Sequence, residues 1–205
     1  MKAKYLLILI LSALGCVLPA KAADNAAKIL DGTAAKLRAA RSITAAYTLT
    51  SPQGSASGTL TLAGERFVMT TADVDIWYDG TTQWVLVKAD NEVNITEPTA
   101  AELQQVNPFV ILSNFRKNYT CKTIGTTATE KKIQLTARIP KADIRSAVIA
   151  INPATMYPKS VTLTMASGHT VAIRIASIKQ GNQLPLNTFR FPAKKYPRVE
   201  IVDLR

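Results

Sequence analysis

From residue 42 onward, the chain consists of short segments in which apolar and polar residues alternate, with turn residues between them. This pattern predicts six strands in the first half, at Ser42–Thr50, Ser55–Leu62, Arg66–Thr71, Val74–Tyr78, Gln83–Lys88 and Glu92–Thr96. Alternation with a period of two is typical of strands that bury one face, because successive side chains point to opposite sides. Links of about two to five turn residues favour antiparallel hairpins.

The second half of the chain returns to the same pattern after a short interruption. It predicts strands at Tyr119–Ile124, Lys131–Arg138, Ala147–Ile151, Lys159–Met165, Thr170–Ser177 and Thr188–Phe191. The 23 threonines of the sequence also favour strands, since β-branched residues fit a pleated, half-buried surface. We therefore predict a mainly β fold, in which a single curved antiparallel sheet of about eleven strands forms an incomplete β-barrel.

Two helical regions are predicted beside this sheet. Asn25–Ala40 is rich in good helix formers and places its apolar residues near one face. Between the two halves, Thr99 and Glu102 have the spacing of a capping box. Pro108 then stands where a second short helix, Phe109–Phe115, would begin. We expect the N-terminal helix to cover the sheet and the second helix to form a short lid.

The N-terminus has the layout of a secretory signal peptide. Lys2 and Lys4 precede the apolar run Leu6–Leu18, and Ala20-Lys21-Ala22 is a small-residue cleavage site. We predict a signal peptide over residues 1–22 with cleavage after Ala22. The exported protein would then be one domain over residues 23–205.

Two alternatives to this cleavage stay open at the sequence level. The first is lipidation of Cys16, although Ala13 stands where a lipoprotein signal usually has a larger apolar residue. The second is an uncleaved membrane anchor, for which the apolar run is short.

Composition excludes several classes of site. One His and two Cys fall short of the four ligands of a structural Cys/His zinc site, which almost excludes a Cys/His metal cluster. The sequence also lacks the glycine-rich loops that hold nucleotide phosphates, so no cofactor and no metal are implied. His169, the only imidazole, lies in a predicted turn without a catalytic partner nearby in sequence, and we therefore expect no enzyme activity.

The net charge is strongly positive. It is +11 for the whole chain, and loss of Lys2, Lys4 and Lys21 with the signal peptide lowers it to +8. For an exported protein, the nearest anions are lipid head groups rather than nucleic acid. A basic surface that serves only solubility explains the charge equally well.

Apolar residues are in excess in the first hairpins and in the predicted lid. A strongly curved sheet has a concave face that its own side chains do not fill, and a cavity closed there by helices suits acyl chains. The candidate binding residues are Phe67, Met69, Ile76, Tyr78, Trp84, Phe109, Ile111 and Leu112. The alternative interpretation is that these residues simply fill the core.

Three stretches of the sequence resemble motifs of one known protein family. Trp77-Tyr78-Asp79-Gly80-Thr81-Thr82-Gln83-Trp84 resembles an Asp-Gly-x-x-x-Trp hairpin of this family. Asn107-Pro108-Phe109-Val110-Ile111-Leu112, preceded by Glu97-Pro98-Thr99, resembles its helical insert, and Asn187-Thr188-Phe189-Arg190-Phe191-Pro192 is similar to its terminal Phe-x-Phe strand. In these stretches, whose order covers nearly the whole of the predicted mature chain, the sequence resembles the LolA family of periplasmic lipoprotein carriers.

The resemblance implies an incomplete β-barrel with a helical lid over a hydrophobic cavity. Phe67 and Met69 stand where the family has cavity residues, and Phe109, Ile111 and Leu112 stand in its lid. The implied partners are acylated lipoproteins as cargo and an inner-membrane ABC transporter as donor, while the existence of an outer-membrane acceptor stays open. The implied role is that of a monomeric carrier in the periplasm of a Gram-negative bacterium, which moves lipoproteins from the inner to the outer membrane.

One position departs from the family pattern. The family has Arg-Pro before the strand that leads to the Asp-Gly hairpin, and this sequence reads Ala63-Gly64-Glu65-Arg66. The lid-closing contact of the family's arginine is therefore not transferred to Arg66. A lipid-binding sensor, a structural envelope protein with a filled interior and an enzyme on a small β scaffold are the alternative functions.

Overall fold

A single sheet of twelve strands dominates the part of the chain that the computed structural model describes, residues 20–205. The strands are β1 (Ser42–Ser51), β2 (Gly54–Ala63), β3 (Arg66–Thr71), β4 (Val74–Tyr78), β5 (Gln83–Val87), β6 (Glu92–Thr96), β7 (Tyr119–Thr126), β8 (Lys131–Ala137), β9 (Ile144–Ile151), β10 (Pro158–Met165), β11 (Thr170–Gly181) and β12 (Glu200–Asp203). Their spatial order is β12-β6-β5-β4-β3-β2-β1-β11-β10-β9-β8-β7. Because β12 and β7 lie at opposite edges of the sheet, the sheet is open, and the predicted mainly β, incomplete barrel is confirmed.

Hairpins build most of the sheet. Consecutive strands from β1 to β6 pair antiparallel, and so do those from β7 to β11, as the short links predict. The two halves meet where β1 pairs with β11, from Ser42 opposite Gly181 to Thr50 opposite Ala172. This long pairing joins the two halves of the chain into one sheet.

Three helices accompany the sheet in the described residues: α1 (Ala20–Ala39), α2 (Ala100–Val106) and α3 (Ile111–Asn118). A 3₁₀ turn, Pro108–Val110, joins the last two, so the helix predicted over 109–115 is a 3₁₀ turn followed by α3. The predicted capping box is confirmed at the start of α2: Glu102 N–H donates to the Thr99 hydroxyl at 3.3 Å, and Thr99 N–H donates to the Glu102 carboxylate at 2.7 Å. We call residues 99–118 the insert.

The helices cover one face of the sheet, which we call the inner face. Phe67 of β3 and Ile149 of β9 are completely buried there. They belong to one apolar cluster with Leu30 of α1 and Phe115 of α3. The main core therefore lies between the sheet and its helices, as the alternating pattern predicts.

The outer face carries a smaller cluster under the C-terminal segment, residues 182–199. Trp77 and Val93 are buried there, and Phe191 and Tyr196 of the segment pack against the cluster. The Trp77 ring centroid lies 5.5 Å from that of Phe191 and 6.4 Å from that of Tyr196, in edge-to-face geometry. Aromatic pairs of this kind stabilise beyond the area they bury, and they hold the C-terminal segment on the outer face.

Asp79 ties the β4–β5 hairpin to the same segment. Its carboxylate accepts hydrogen bonds from the backbone N–H groups of Thr81 and Thr82, at 3.1 and 3.0 Å, and from Arg190 Nε at 2.9 Å. Gly80 follows with a φ of 108°, a conformation that glycine adopts without steric cost. The Asp-Gly pair therefore has a structural role, because it closes the hairpin and anchors the C-terminal segment.

This anchor predicts a specific acid sensitivity. Burial raises the pKa of Asp79, but the N–H groups of Thr82 and Thr81 and the Arg190 side chain outweigh burial and hold the pKa below its usual 3.8. A lowered pKa stabilises the fold above the unfolded value, and this contribution disappears as the pH falls through the folded value, below 3.8. We expect Asp79→Asn to lower the free energy of unfolding at neutral pH by about 1 kcal/mol.

The difference between Asp79→Asn and wild type should shrink as the pH falls below 3.8, which denaturant titrations at a series of pH values would measure. Asp90→Asn, at an exposed turn carboxylate, is the control and should follow the wild-type pH profile. A constant difference between Asp79→Asn and wild type at every pH would contradict the proposed role of the charge.

The C-terminal segment departs from the prediction. Thr188–Phe191 is not a strand, because Leu186–Phe189 forms a 3₁₀ turn. Pro185 and Pro192 flank this turn, and proline cannot donate a hydrogen bond to a strand ladder. The twelfth strand, Glu200–Asp203, was not predicted, and it pairs parallel with β6 in a sheet that is otherwise antiparallel. Four residues are too few for an alternating pattern to appear in the sequence.

Most of the predicted signal peptide lies outside the described residues. This part includes Cys16 and the apolar run, so cleavage after Ala22 and the lipidation alternative both stay predictions. α1 continues through residues 20–22 and covers the helix predicted to begin at Asn25. Within residues 20–205, no helix has both the length and the apolar character needed to cross a membrane.

Candidate functional site

A cleft of about 600 Å³ opens between α1, the β2–β3 turn and the insert. It is lined by Ala34, Leu37 and Arg38 of α1, by Leu62, Gly64, Glu65 and Tyr78 of the sheet, and by Ala100, Leu103, Asn107, Phe109, Val110, Leu112, Ser113 and Asn114 of the insert. Most of this lining is apolar, and the charged side chains in it are Arg38 and Glu65. The volume lies within the range of small-molecule sites, which are mostly apolar with a few polar groups.

A second, much smaller pocket lies further along the inner face. It is lined by Ala45, Tyr47, Leu49, Leu60, Met69, Val106, Phe109, Val171, Ile173 and Ile175. Its free space is about 20 Å³, close to that of one water molecule, and Tyr47 is its only residue with a polar side chain. The apolar interior of the sheet is thus nearly filled at this point, whereas the neighbouring cleft is open.

Phe109 forms part of the wall of both cavities. Its side chain is 8% exposed, and its backbone N–H donates a hydrogen bond to Asn107 Oδ1 at 3.1 Å. Asn107 is itself buried, so the turn that carries Phe109 is fixed from within the protein. Leu62 and Leu60, two residues apart on β2, line the cleft and the pocket respectively. The two cavities are therefore separated by about 7 Å along the strand.

Four of the eight predicted binding residues line these cavities. Tyr78 and Leu112 face the cleft, Met69 faces the small pocket, and Phe109 faces both. Phe109 and Leu112, which are three residues apart in the sequence, share the cleft wall.

Three further predicted residues lie in the inner core without lining either cavity. Phe67 and Ile111 are completely buried, and the Phe67 ring centroid lies 5.3 Å from that of Tyr78. Ile76 is half-buried and packs against the same core beside Met69, its partner on β3. These side chains support the walls from behind.

Trp84 is separated from the other predicted residues. It is the strand partner of Trp77 and packs in the outer-face cluster. Trp77 and Tyr78 are consecutive on β4, so their side chains point to opposite faces, and Trp84 lies on the face away from the cleft. Trp84 is predicted as a binding residue because it is apolar and lies in a hairpin. Its position in the alternation places it on the outer face instead.

Sequence reasoning missed much of the lining. Tyr47 of β1 and Ile173 and Ile175 of β11 line the small pocket, and Leu37 and Leu103 line the cleft. The alternation in β1 and β11 marks their inner faces, and this signal was available in the sequence. The sequence carries no such signal for the pairing of β1 with β11, which are more than a hundred residues apart.

One ion pair joins the insert to α1. Arg116 Nε donates to both carboxylate oxygens of Asp31 at 3.1 Å, and Nη2 also contacts this carboxylate. Both side chains are about half exposed, so the pair contributes at most about 1 kcal/mol. Arg66 lies elsewhere, with its Cγ beside Gly80 at the β4–β5 hairpin. The insert is held mainly by its apolar contacts, in which Ile111, Leu112 and Phe115 are buried.

The two tyrosines that line the cavities are uncharged at physiological pH. Burial raises the pKa of Tyr47, and burial together with Glu65 and Asp79 raises that of Tyr78, so both phenols are neutral at physiological pH. Tyr78 also donates a hydrogen bond to the Gly80 carbonyl oxygen at 2.8 Å. In the described part of the chain, no group of three His, Cys, Asp or Glu side chains could hold a metal ion.

A match to a protein-family model identifies the family of this chain. The model for the outer membrane lipoprotein carrier protein LolA matches residues 17–169, which is most of the chain and includes both the hairpins and the insert. The chain belongs to the LolA family. No curated protein matches it significantly.

Solved structures share the LolA-type fold of this chain at low sequence identity. An uncharacterized conserved protein from Thermus thermophilus is 11% identical with a TM-score of 0.62, over 87% of this chain and 99% of that one. A DUF1329 family protein from Desulfovibrio piger is 9% identical with a TM-score of 0.51, over 84% and 98%. A putative outer membrane lipoprotein-sorting protein domain from Vibrio parahaemolyticus is 11% identical with a TM-score of 0.49, over 86% and 100%.

Membership in the LolA family gives the chain a binding and carrier fold rather than a catalytic one. Proteins of this superfamily are periplasmic or exported in Gram-negative bacteria, and they bind lipids or lipoproteins. The cleft fits such a ligand, because its lining combines an apolar surface with polar side chains, among them Arg38 and Glu65, that suit a head group.

Proposed function

We propose that this protein is a periplasmic carrier that shields the acyl chains of lipoproteins and moves them from the inner to the outer membrane. The observation that supports the proposal most directly is the open, mostly apolar cleft of about 600 Å³ beneath the insert of a LolA-family fold. The donor would be an inner-membrane ABC transporter, and an outer-membrane acceptor would complete the route. The carrier would act as a monomer after removal of residues 1–22.

The energetics suit a carrier. Burial of one CH₂ group stabilises a complex by about 0.8 kcal/mol, so one long chain contributes roughly 10 kcal/mol before the costs of association. Tyr78, Phe109 and Leu112 would contact the chain, and Phe67, Met69, Ile76 and Ile111 would form or support the apolar wall. Such binding needs no covalent step, and cargo can pass to a partner that offers a more favourable apolar surface.

A structural envelope protein would need a filled interior, which the cleft disfavours. A sensor role would use the same lipid-binding surface and differs from a carrier only in what happens after binding. The carrier is favoured here by the family to which the chain belongs.

The test is binding of a lipopeptide to the purified mature protein. The probe is a short peptide with an N-terminal palmitoylated cysteine, and the control is the same peptide without the acyl group. Native mass spectrometry should detect a one-to-one complex with the acylated peptide alone. Equal binding of the two peptides, or binding of neither, would overturn the proposal.

A further inference from the structure

The exposed residues of the cleft lining form a polar mouth, and the buried ones form a mostly apolar floor. Arg38, Glu65, Ser113 and Asn114 are exposed and supply the polar side chains of the mouth. The buried lining residues are Ala34, Leu62, Tyr78, Asn107, Phe109 and Leu112. Among them, the Tyr78 hydroxyl already donates to the Gly80 carbonyl oxygen, and Asn107 Oδ1 already accepts from the Phe109 N–H. Acyl chains are therefore best accommodated on the floor, with a polar head group at the mouth.

Two opposite charges face the mouth from different elements of the fold. Arg38 belongs to the last turn of α1, and Glu65 belongs to the turn between β2 and β3. In the part of the chain that the structure describes, neither side chain forms an ion pair, either with the other or with a third residue. Ser113 and Asn114 of α3 are neutral. The mouth thus offers one unmatched cation and one unmatched anion to a ligand.

Glu65 is the more unusual of the two charges, because the protein is strongly basic. A net charge of +11 for the whole chain repels cations in general and attracts anions. A carboxylate without a basic partner at the mouth therefore favours a cationic group of the ligand at this position. Burial, Glu65 and Asp79, in this order, raise the pKa of Tyr78, so the Glu65 carboxylate lies within electrostatic reach of the phenol that lines the cleft.

We propose that Glu65 binds the free α-ammonium group of a diacylated lipoprotein, so that this protein prefers such cargo to lipoproteins acylated on the cysteine nitrogen. The inference rests on the proposed binding of lipoprotein acyl chains and adds a specificity-determining residue to it. An α-amino group has a pKa of about 8 and is largely protonated at neutral pH, whereas an acylated nitrogen is an uncharged amide. The ester oxygens of the diacylglyceryl group occur in both forms, and they can accept hydrogen bonds from Arg38.

The test compares three lipopeptides on the purified mature protein. All have the same uncharged peptide and an S-diacylglyceryl cysteine with short acyl chains that stay monomeric in solution. They differ only at the cysteine nitrogen, which is a free amine, a dimethylamine or an N-acetyl amide. The dimethylamine keeps the positive charge at about the size of the acetyl group, so it separates charge from bulk. At neutral pH, isothermal titration calorimetry should give both amines an affinity about three- to fivefold higher than that of the amide, as for an exposed ion pair.

Variants at the mouth assign this preference to a residue. Glu65→Gln should bind the three probes equally, and Glu65→Lys should bind the amide more tightly than either amine. Arg38→Gln should weaken all three by about two- to fivefold and keep their order, because each retains the ester oxygens. Glu200→Gln is the matched control, since Glu200 is an exposed glutamate of β12 that does not line the cleft, and it should keep the wild-type affinities. Circular dichroism checks the fold of each variant.

The outcomes separate this inference from the proposed function. If wild type binds the three probes equally, or if Glu65→Gln keeps the preference for the amines, the inference is overturned and acyl-chain binding stands. Phosphatidylethanolamine carries the same ammonium chemistry, so a short-chain form of this lipid serves as a competitor. Its displacement of the free-amine lipopeptide at equal concentration would assign the mouth to phospholipid head groups and overturn the assignment to diacylated lipoproteins. If wild type binds no probe, both the inference and the proposed function fail.

Discussion

Leu112→Glu is expected to abolish retention of acylated cargo while leaving the β-sheet intact. Leu112 is 3% exposed and lies on α3, where it faces the cleft. Glutamate at this position removes apolar contacts and places a carboxylate against an apolar wall, which is costly unless the group is solvated or protonated. We expect the free energy of unfolding to fall by about 3 to 5 kcal/mol, as for large losses of core packing. Because the ion pair between Arg116 and Asp31 is weak, it cannot hold the insert against this change.

Two control variants separate the charge from the loss of packing. Leu112→Ala removes the side chain without adding a charge, so it should be less stable than wild type but still retain acylated protein. Lys117→Glu places a carboxylate at an exposed position of the same helix and should change neither property. Circular dichroism would follow the fold, and co-purification of acylated protein would follow the cargo. If Leu112→Glu folds and retains cargo as well as wild type, the insert does not form a wall of the binding site.

The strands were the most predictable part of this protein. The bounds of β3, β4 and β6 agree with the predicted ones, because each strand ends at a clear turn. Glu200–Asp203 escaped prediction because its pairing with β6 depends on the chain returning along the outer face. The Phe-x-Phe stretch was misassigned for a related reason: Phe189 and Phe191 are anchored by packing and not by a strand ladder.

The candidate site was only partly predictable. Phe109 and Leu112 could be found because an apolar segment below the length of a stable helix must dock on something apolar. Hydrophobicity could not distinguish Tyr78, which lines the cleft, from Trp84 on the opposite face. Both are aromatic residues of the same hairpin, and only the face to which each side chain points separates them. The cavity itself depends on the β1–β11 pairing and on the curvature of the sheet, and neither is a local property of the sequence.

Gly58→Ala should cause a large loss of stability, because Gly58 lies where two strands approach unusually closely. It is opposite Tyr47 of β1 and Thr71 of β3. A Cβ added to Gly58 would lie 2.0 Å from the Thr70 carbonyl oxygen and 3.1 Å from the Tyr47 hydroxyl. The Thr70 carbonyl oxygen belongs to the backbone, so the clash with an added Cβ can be removed only if β2 and β3 move apart. Glycine within a strand commonly marks a tight bend of this kind in a curved sheet.

We expect Gly58→Ala to lower the free energy of unfolding by about 3 kcal/mol or more, above the usual range for overpacking, because the obstacle cannot rotate away. Gly125→Ala in β7 is the matched control: its Cβ would meet only the Lys132 side chain, at 3.8 Å, so the change should stay within about 0.5 kcal/mol. Urea titrations of the three proteins measure both effects. Equal stability of the two glycine variants would mean that β2 and β3 adjust freely at Gly58, and the close approach would then not be what curves the sheet around the cleft.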